Sequence, residues 1–242
     1  LGAAQDAEGL TAAFHLRRID EGAETHLDLD ATLVGKPSRL VVDGTFHEAP
    51  HGWLAAVLNL QEAGELQVDL GGEGPLSDWK GTLRGNLGKY GSIDTQIQLG
   101  VREEIVLGLD GKYVAAASLL PPELVPLLGL ESRFGLTLRL TPGKSLALEK
   151  VDLQGAGYHL LGSGGLNLQS QELSSDFTLA VKDLKVLESL AGTPLAGGLS
   201  LQGKVGGILP HPQGQLAVDV QKLLVQKLQV EHVKTDLHFE PL

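Results

Sequence analysis

The chain has 242 residues and carries 19 Lys and Arg against 30 Asp and Glu, a net charge of −11, with 42% hydrophobic and 20% charged residues. This balance is typical of a folded protein, and the acidic excess argues against nucleic acid as a partner. The absence of cysteine excludes disulfide scaffolds and thiolate metal sites, and no run approaches the roughly 18 apolar residues of a membrane-spanning helix.

Leucine and glycine dominate the composition, with 49 Leu and 32 Gly, whereas aromatic residues make up only 4%. Because aromatic side chains bury the most area per residue, their scarcity predicts a thin, repetitive architecture instead of a thick core. We also expect an internal segment of a longer protein, since the chain begins Leu-Gly-Ala-Ala and contains no methionine.

Apolar and polar residues alternate with a period of two along most of the chain, from Leu10-Thr11-Ala12 onward. This pattern is typical of strands with one apolar face and predicts about 15 antiparallel strands. A further alternating run over residues 51–60 is also interpreted as a strand. The apolar positions that we expect to line one face are Leu27, Leu29, Leu33, Leu40, Val42, Phe46, Leu66, Val68, Leu70, Ile93, Ile97, Leu99, Ile105, Leu107, Leu109, Leu136, Leu138, Leu140, Leu166, Leu168, Phe177, Leu179, Val181, Leu199, Leu201, Val205, Leu216, Val218 and Val220.

Short glycine-rich or proline-containing stretches separate the alternating runs and predict turns. The predicted turns lie at residues 71–75, 110–111, 142–143, 155–157, 162–165 and 206–207.

Two stretches, near 121–129 and 183–191, predict short helices. The first has Pro near its start and Gly129 at its end, while Asp183 can cap the second and Gly192 can terminate it. The two stretches align at an offset of 63 residues, since 187 − 124 = 63 separates Leu187 from Leu124. We interpret this as a weak internal repeat.

The leucines of these helices need cover, and we therefore expect both helices to lie against the apolar face. The leucines concerned are Leu124, Leu127, Leu187 and Leu190. No linker of the Ser/Pro/Gln type interrupts the chain, so residues 1–242 are predicted to form one continuous body.

The search for chemistry finds no convergent polar cluster. The eight His show no metalloprotease spacing, and His15, His26 and His238 are expected on the polar face of strands. Asp28 and Asp30 share a strand face, but they fill the polar half of an alternating run. We predict no enzymatic activity, no metal site and no cofactor.

The apolar face itself is then the remaining functional feature. It must be covered by a second sheet, by the same sheet folded over, or by an apolar ligand. Leucine packs less well on a pleated sheet than β-branched or aromatic residues, so a leucine-rich face suits contact with fluid acyl chains. Strands of this length would give a trough roughly 25–30 Å wide and some 70 Å long.

At this level of detail the sequence resembles the TamB family, of the AsmA-like superfamily of bacterial bridge-type lipid-transfer proteins. The resemblance rests on the alternating Leu and Gly strands, on Pro121-Pro122-Glu123-Leu124, on the stretch 183–192, and on the phrases Gly72-Glu73-Gly74-Pro75-Leu76 and Gly198-Leu199-Ser200-Leu201-Gln202-Gly203. The resemblance extends over most of the chain, and it lies in the general pattern of residues rather than in an invariant motif.

The resemblance implies a mostly β fold, a long curved antiparallel sheet folded into an apolar groove (a β-taco), with one or two short helices. It implies a periplasmic location within an inner-membrane-anchored protein whose anchor lies outside this segment. The partners implied are phospholipid acyl chains and an outer-membrane Omp85-type, TamA-like barrel. The implied function is phospholipid transport between the inner and outer membranes and support of outer-membrane biogenesis.

Two alternatives remain open. The groove is either a chaperone-like module that binds client strands of outer-membrane β-barrels, or the chain is a purely structural β-sandwich or solenoid stalk. The structural alternative predicts a fully packed leucine face.

Overall fold

The computed structural model describes residues 2–6, 9–18, 24–35, 38–50, 52, 64–116 and 118–239. Strands account for 72% of these residues, and fifteen strands are present among them. The prediction of a mostly β protein with about fifteen strands is therefore confirmed. The strand predicted over residues 51–60 lies outside the described residues, apart from Gly52.

The chain divides into two compact units, Leu1–Leu119 and Leu120–Leu242, called unit 1 and unit 2. The single continuous body therefore stays a prediction. The strands of unit 1 are β1 Gly2–Asp6, β2 Gly9–Arg17, β3 Thr25–Val34, β4 Arg39–Glu48, β5 Leu66–Pro75, β6 Trp79–Asn86, β7 Gly91–Val101 and β8 Ile105–Ala115, with a 3-10 helix η1 at Gly88–Tyr90.

The described residues of unit 2 form seven strands and two short helical segments. The elements are α1 Val125–Leu128, β9 Glu131–Thr141, β10 Ser145–Gln154, β11 Tyr158–Asn167, β12 Glu172–Val181, η2 Leu184–Leu187 running into α2 Glu188–Ala191, β13 Leu195–Ile208, β14 His211–Val225 and β15 Leu228–Phe239.

Within each unit, every strand pairs antiparallel with its neighbour along the chain. The strand order is linear, β1 to β8 in unit 1 and β9 to β15 in unit 2. The predicted fold class, mostly β and antiparallel with short helices, is confirmed.

Both predicted helices are present, and their ends follow the expected capping chemistry. Asp183 Oδ1 accepts a hydrogen bond of 2.9 Å from the backbone N–H of Lys185. Gly192 adopts a left-handed conformation with φ of 64°, and Gly129 closes α1 with φ of 73°. Each helix is followed by a glycine and then a strand, as the predicted repeat requires.

The two helical segments pack on each other at one end of the unit 2 sheet. Leu127 and Leu128 accept backbone hydrogen bonds, at 2.8 and 3.2 Å, from the turn that joins β10 to β11. The expected burial of Leu190 is wrong, because its side chain is 52% exposed. Leu184, the first residue of η2, is buried instead.

Four of the six predicted turns are wrong, because their glycines lie inside strands. Residues 71–75 belong to β5, 110–111 to β8, 162–165 to β11 and 206–207 to β13, whereas 142–143 and 155–157 do lie between strands. Glycine therefore marks strand interiors in this chain as often as it marks turns.

Aromatic rings explain several of these strand glycines. A Cβ added to Gly72 or to Gly81 would lie 2.3 Å from the Trp79 ring, so the indole lies directly over both. Phe177 covers Gly203, its direct partner on β13, in the same way. A larger residue at these positions would displace the ring, which is the physical reason for glycine there.

Candidate functional site

The register of unit 1 places the predicted apolar positions on one side of its sheet. Directly opposed residues of antiparallel strands project from the same face. One such row runs through Leu29, Gly44, Leu70, Leu83 and Thr95 across β3 to β7. Every predicted unit 1 residue, from Leu27 to Leu109, projects from the same side of the sheet as this row. This side is called the apolar face of unit 1, and the side of the unit 2 sheet described next is called the apolar face of unit 2.

Unit 2 has an equivalent row. Leu153, Leu160, Leu179, Leu201 and Val218 are opposed in succession across β10 to β14. The remaining predicted positions of unit 2 share this side of the sheet, with Leu168 as the exception. Leu168 lies beyond the end of β11, in the turn before β12, and is 45% exposed.

A β-bulge at Glu149 keeps strand β10 in phase with its neighbours. Leu148 is opposite Leu138, whereas Val151 is opposite Leu136, so one extra residue is inserted between the two pairs. Without that insertion, Val151 and the rest of the strand would project from the other face. Arg139 holds Glu149 in a forked ion pair, with Nε to Oε1 at 2.6 Å and Nη2 to Oε2 at 3.2 Å.

Sequence reasoning missed several members of the apolar face. On β6, glycines occupy two of the four apolar-face positions, so the alternation is hidden. On β10, the phase changes at the bulge. The sequence did contain a signal for the residues of β10: the alternation of apolar and polar residues resumes one position late after Glu149. The missed apolar residues are Trp79, Leu83, Val151, Leu153, Leu160 and Leu173.

The apolar face is half-buried rather than sealed. Among the described residues, the buried hydrophobic side chains are Leu66, Trp79, Ala115, Val181 and Leu184. Phe177, in the middle of its face, is 36% exposed. Half-buried apolar side chains are expected where no second layer formed by the described residues covers the sheets.

The opposite side, called the polar face, carries cross-strand ion pairs. His15 Nδ1 lies 2.7 Å from Asp28 Oδ1, and His232 Nε2 lies 2.9 Å from Asp219 Oδ2. The placement of His15 on the polar face is therefore confirmed. Solvent screens pairs this exposed, so they contribute little to stability.

Two carboxyl groups of the polar face, those of Asp152 and Asp219, have a lowered pKa. The hydrogen bond from His159 lowers the pKa of Asp152, against the raising effect of partial desolvation, and nearby Lys150 lowers it further. The bond from His232 likewise lowers the pKa of Asp219. Both shifts favour the ionised carboxylate, as expected of acceptors in a solvated ion pair.

Polar side chains are also buried within the apolar face of unit 1. Thr25 and Glu48 are opposed at one end of β3 and β4, both are fully buried, and Thr25 Oγ1 donates to Glu48 Oε1 at 3.4 Å. Thr95 Oγ1 and Trp79 Nε1 are buried without a hydrogen-bond partner among the described residues. A buried, unsatisfied polar atom costs about 1–3 kcal/mol.

The described residues contain no cluster of three or more His, Asp or Glu arranged to hold a metal ion. None of the helices in the described part of the chain has the length and apolarity needed to cross a membrane. Comparison with family models, with curated proteins and with solved structures finds no match for this chain.

Proposed function

We propose that this chain is a segment of a periplasm-spanning envelope protein whose apolar face carries phospholipid between the inner and outer membranes. The observation that carries the proposal is the register: leucines far apart in sequence project from one side of each sheet, and that side is half-buried. A large apolar surface without protein cover is a binding surface.

The mechanism requires no bond to be made or broken. An acyl chain on the apolar face is sheltered from water, which stabilises it by about 0.8 kcal/mol for each CH₂ group covered. Leucine side chains change rotamers more freely than β-branched ones, so they can follow a fluid chain. The polar face, with its ion pairs, keeps the other side of the sheet in water.

Site-specific photo-crosslinking tests the proposal. A crosslinker at Leu138 or Leu201 should capture phospholipid co-purified with the chain, whereas one at Gln202 or Gln96, on the polar face, should not. Leu201 and Gln202 are a matched pair, because they are adjacent on β13 and project from opposite faces. Equal labelling of both faces would refute the proposal.

A charge placed on the apolar face provides a second test. Leu138→Asp should abolish phospholipid binding because it puts a carboxylate among the acyl chains. Thr137→Asp is the control, since the same charge then lies on the polar face opposite Lys150. Circular dichroism establishes that both variants are folded. Undiminished binding by a folded Leu138→Asp variant would contradict the conduit.

A further inference from the structure

A cleft of about 610 Å³ lies near one end of the unit 2 sheet, apart from the surface proposed to carry acyl chains. It spans strands β12 to β15, and its polar residues belong to two neighbouring rows of the register. The first row runs through Asp176, Lys204, Gln215 and His238. The second row runs through Ser174, Gly206 and Gln213.

The cleft opens on the polar face. Side chains alternate between the two faces along a strand, and both rows are out of phase with the apolar face, represented on β13 by Leu201. Phe177 and Leu216, the next residues along the apolar face, do not border the cleft. Gly206 provides the space between the polar side chains, because the described atom nearest to an added Cβ would be the Leu173 carbonyl oxygen, at 3.5 Å.

Two opposite charges lie side by side in the cleft without pairing with each other. Asp176 and Lys204 are directly opposed on β12 and β13, so their Cβ atoms are about 5 Å apart. Ser163 Oγ, on β11, donates a hydrogen bond of 3.1 Å to Asp176 Oδ1. No ion pair joins Lys204 to a described residue. A ligand with a single charge would be attracted by one of these side chains and repelled by the other, so the cleft favours a zwitterion.

Hydrogen-bond donors are concentrated around the ammonium group of the cleft. Gln215 lies opposite Lys204, and Gln213 lies opposite Gly206. Each carboxamide supplies two N–H donors. A phosphate group has enough oxygens to accept from several such donors at once. Ile208 follows on the same face and is 60% exposed, so it offers an apolar contact to the carbon skeleton that the phosphate carries.

We propose that this cleft binds the phosphoethanolamine headgroup of a phospholipid, with the phosphate at Lys204 and the ammonium at Asp176. Two carbon atoms join the ammonium to the phosphate ester, so the two charges of the headgroup span neighbouring strands, which are about 4.8 Å apart. The glycerol then lies toward Ile208, at the end of the sheet. The site does not depend on the conduit, because its charged and polar groups project from the polar face.

Water-soluble headgroup analogues test the site in the whole chain. Glycerophosphoethanolamine and glycerophosphoglycerol share the glycerol and the phosphodiester, but only the first has an ammonium. By isothermal titration calorimetry, the wild-type chain should bind the first at least about tenfold more tightly, as expected for a hydrogen bond between charged groups. Asp176→Asn keeps an acceptor for Ser163 and should abolish this preference.

Removal of the cation provides the complementary variant. Lys204→Gln should weaken the binding of both analogues at least about tenfold. Lys234→Gln is the matched control, because Lys234 projects from the polar face of β15, opposite Asp219 and outside the cleft. The side chains of Asp176 and Lys204 are exposed, so both variants should fold, which circular dichroism verifies.

NMR titration of the wild-type chain locates the bound headgroup. The backbone amides of Gly206 and Gly214 border the cleft and should shift, whereas that of Gly71, in unit 1, should not. Dihexanoyl phosphatidylethanolamine, below its micelle concentration, should bind more tightly than glycerophosphoethanolamine because its chains add apolar contact.

The proposal is overturned by equal affinity for the two headgroup analogues, by undiminished binding to Lys204→Gln, or by unshifted cleft amides. Equal affinity for the lipid and its chain-free analogue overturns the assignment to a lipid. None of these results affects the conduit, which is decided by crosslinking at Leu138 and Leu201.

Discussion

The packing of Trp79 against strand glycines makes a sharp prediction about two adjacent residues. Gly72 lies on the apolar face beneath the indole ring, whereas Gly71 lies on the polar face with open space around it. We expect Gly72→Ala to destabilise the protein and Gly71→Ala to be neutral or slightly stabilising. The two variants differ only in which side of β5 receives the methyl group.

The geometry gives the magnitude. A Cβ on Gly72 would lie 2.3 Å from Trp79 Cζ2, 2.6 Å from Gly81 Cα and 2.7 Å from Lys80 O, where ordinary contacts begin at 3.4 Å. The overlap is 3.4 − 2.3 = 1.1 Å with the ring, and the other two atoms belong to the backbone of β6. Overpacking of this kind costs about 3 kcal/mol. At Gly71 the added methyl meets nothing, and the stiffer unfolded chain favours folding by about 0.4–1 kcal/mol.

Thermal unfolding followed by far-UV circular dichroism measures both effects. For a chain of this size, about 1 kcal/mol corresponds to roughly 2–4 °C, so Gly72→Ala should lower Tm by about 6–12 °C. Gly71→Ala should leave Tm unchanged or raise it by a few degrees. Equal Tm values for the two variants would refute the placement of the indole over the glycine, and a loss confined to Gly71→Ala would reverse the faces of β5.

Three further predictions concern single positions. Asp30 and Asp43 are directly opposed on the polar face, so Asp43→Lys should stabilise the chain by up to about 1 kcal/mol in urea unfolding, less at high salt. His159→Ala should return the pKa of Asp152 toward its usual value, as an NMR titration would show. Because the pKa of Asp152 is lowered in the folded chain, its contribution to stability is present above the usual pKa and disappears as the pH falls through the lowered one. The variant should show less of this acid-side dependence, with the remainder due to Lys150. Asp183→Ala removes the N-cap of η2 and should cost about 1 kcal/mol, whereas Asp183→Asn should retain most of the stability.

The period-two pattern was sufficient to predict most strands and the side of the sheet on which their apolar residues lie. Alternation specifies a face directly, because a shift of one residue would expose every leucine. The helix ends could also be predicted, since Asp183 and Gly192 act through local backbone geometry. The predictions that failed depended on contacts between strands. Nothing local to Gly162–Gly165 shows that it continues β11 rather than turning.

The bulge at Glu149 shows why the sequence of a single strand does not determine its structure. The stretch Leu146-Ala147-Leu148-Glu149-Lys150-Val151 changes phase, and such a change is compatible with a turn, with two strands, or with one strand that bulges. The choice depends on β9 and β11, whose apolar residues remain in phase on either side of the insertion. A bulge preserves both ladders, whereas a register slip would expose Leu153 on the polar face.

The same interstrand reasoning links the unusual composition to the proposed function. Two large aromatic rings on the apolar face lie over glycines: Trp79 over Gly72 of the neighbouring strand and Gly81 of its own strand, and Phe177 over Gly203 of the neighbouring strand. A ring in this position contacts its own sheet and projects little beyond the leucines beside it. Had the glycines been larger, the rings would have been displaced outward, where they would occupy the space an acyl chain needs. A high glycine content and a low aromatic content are therefore both expected of a sheet whose apolar side chains project little and leave space for a ligand.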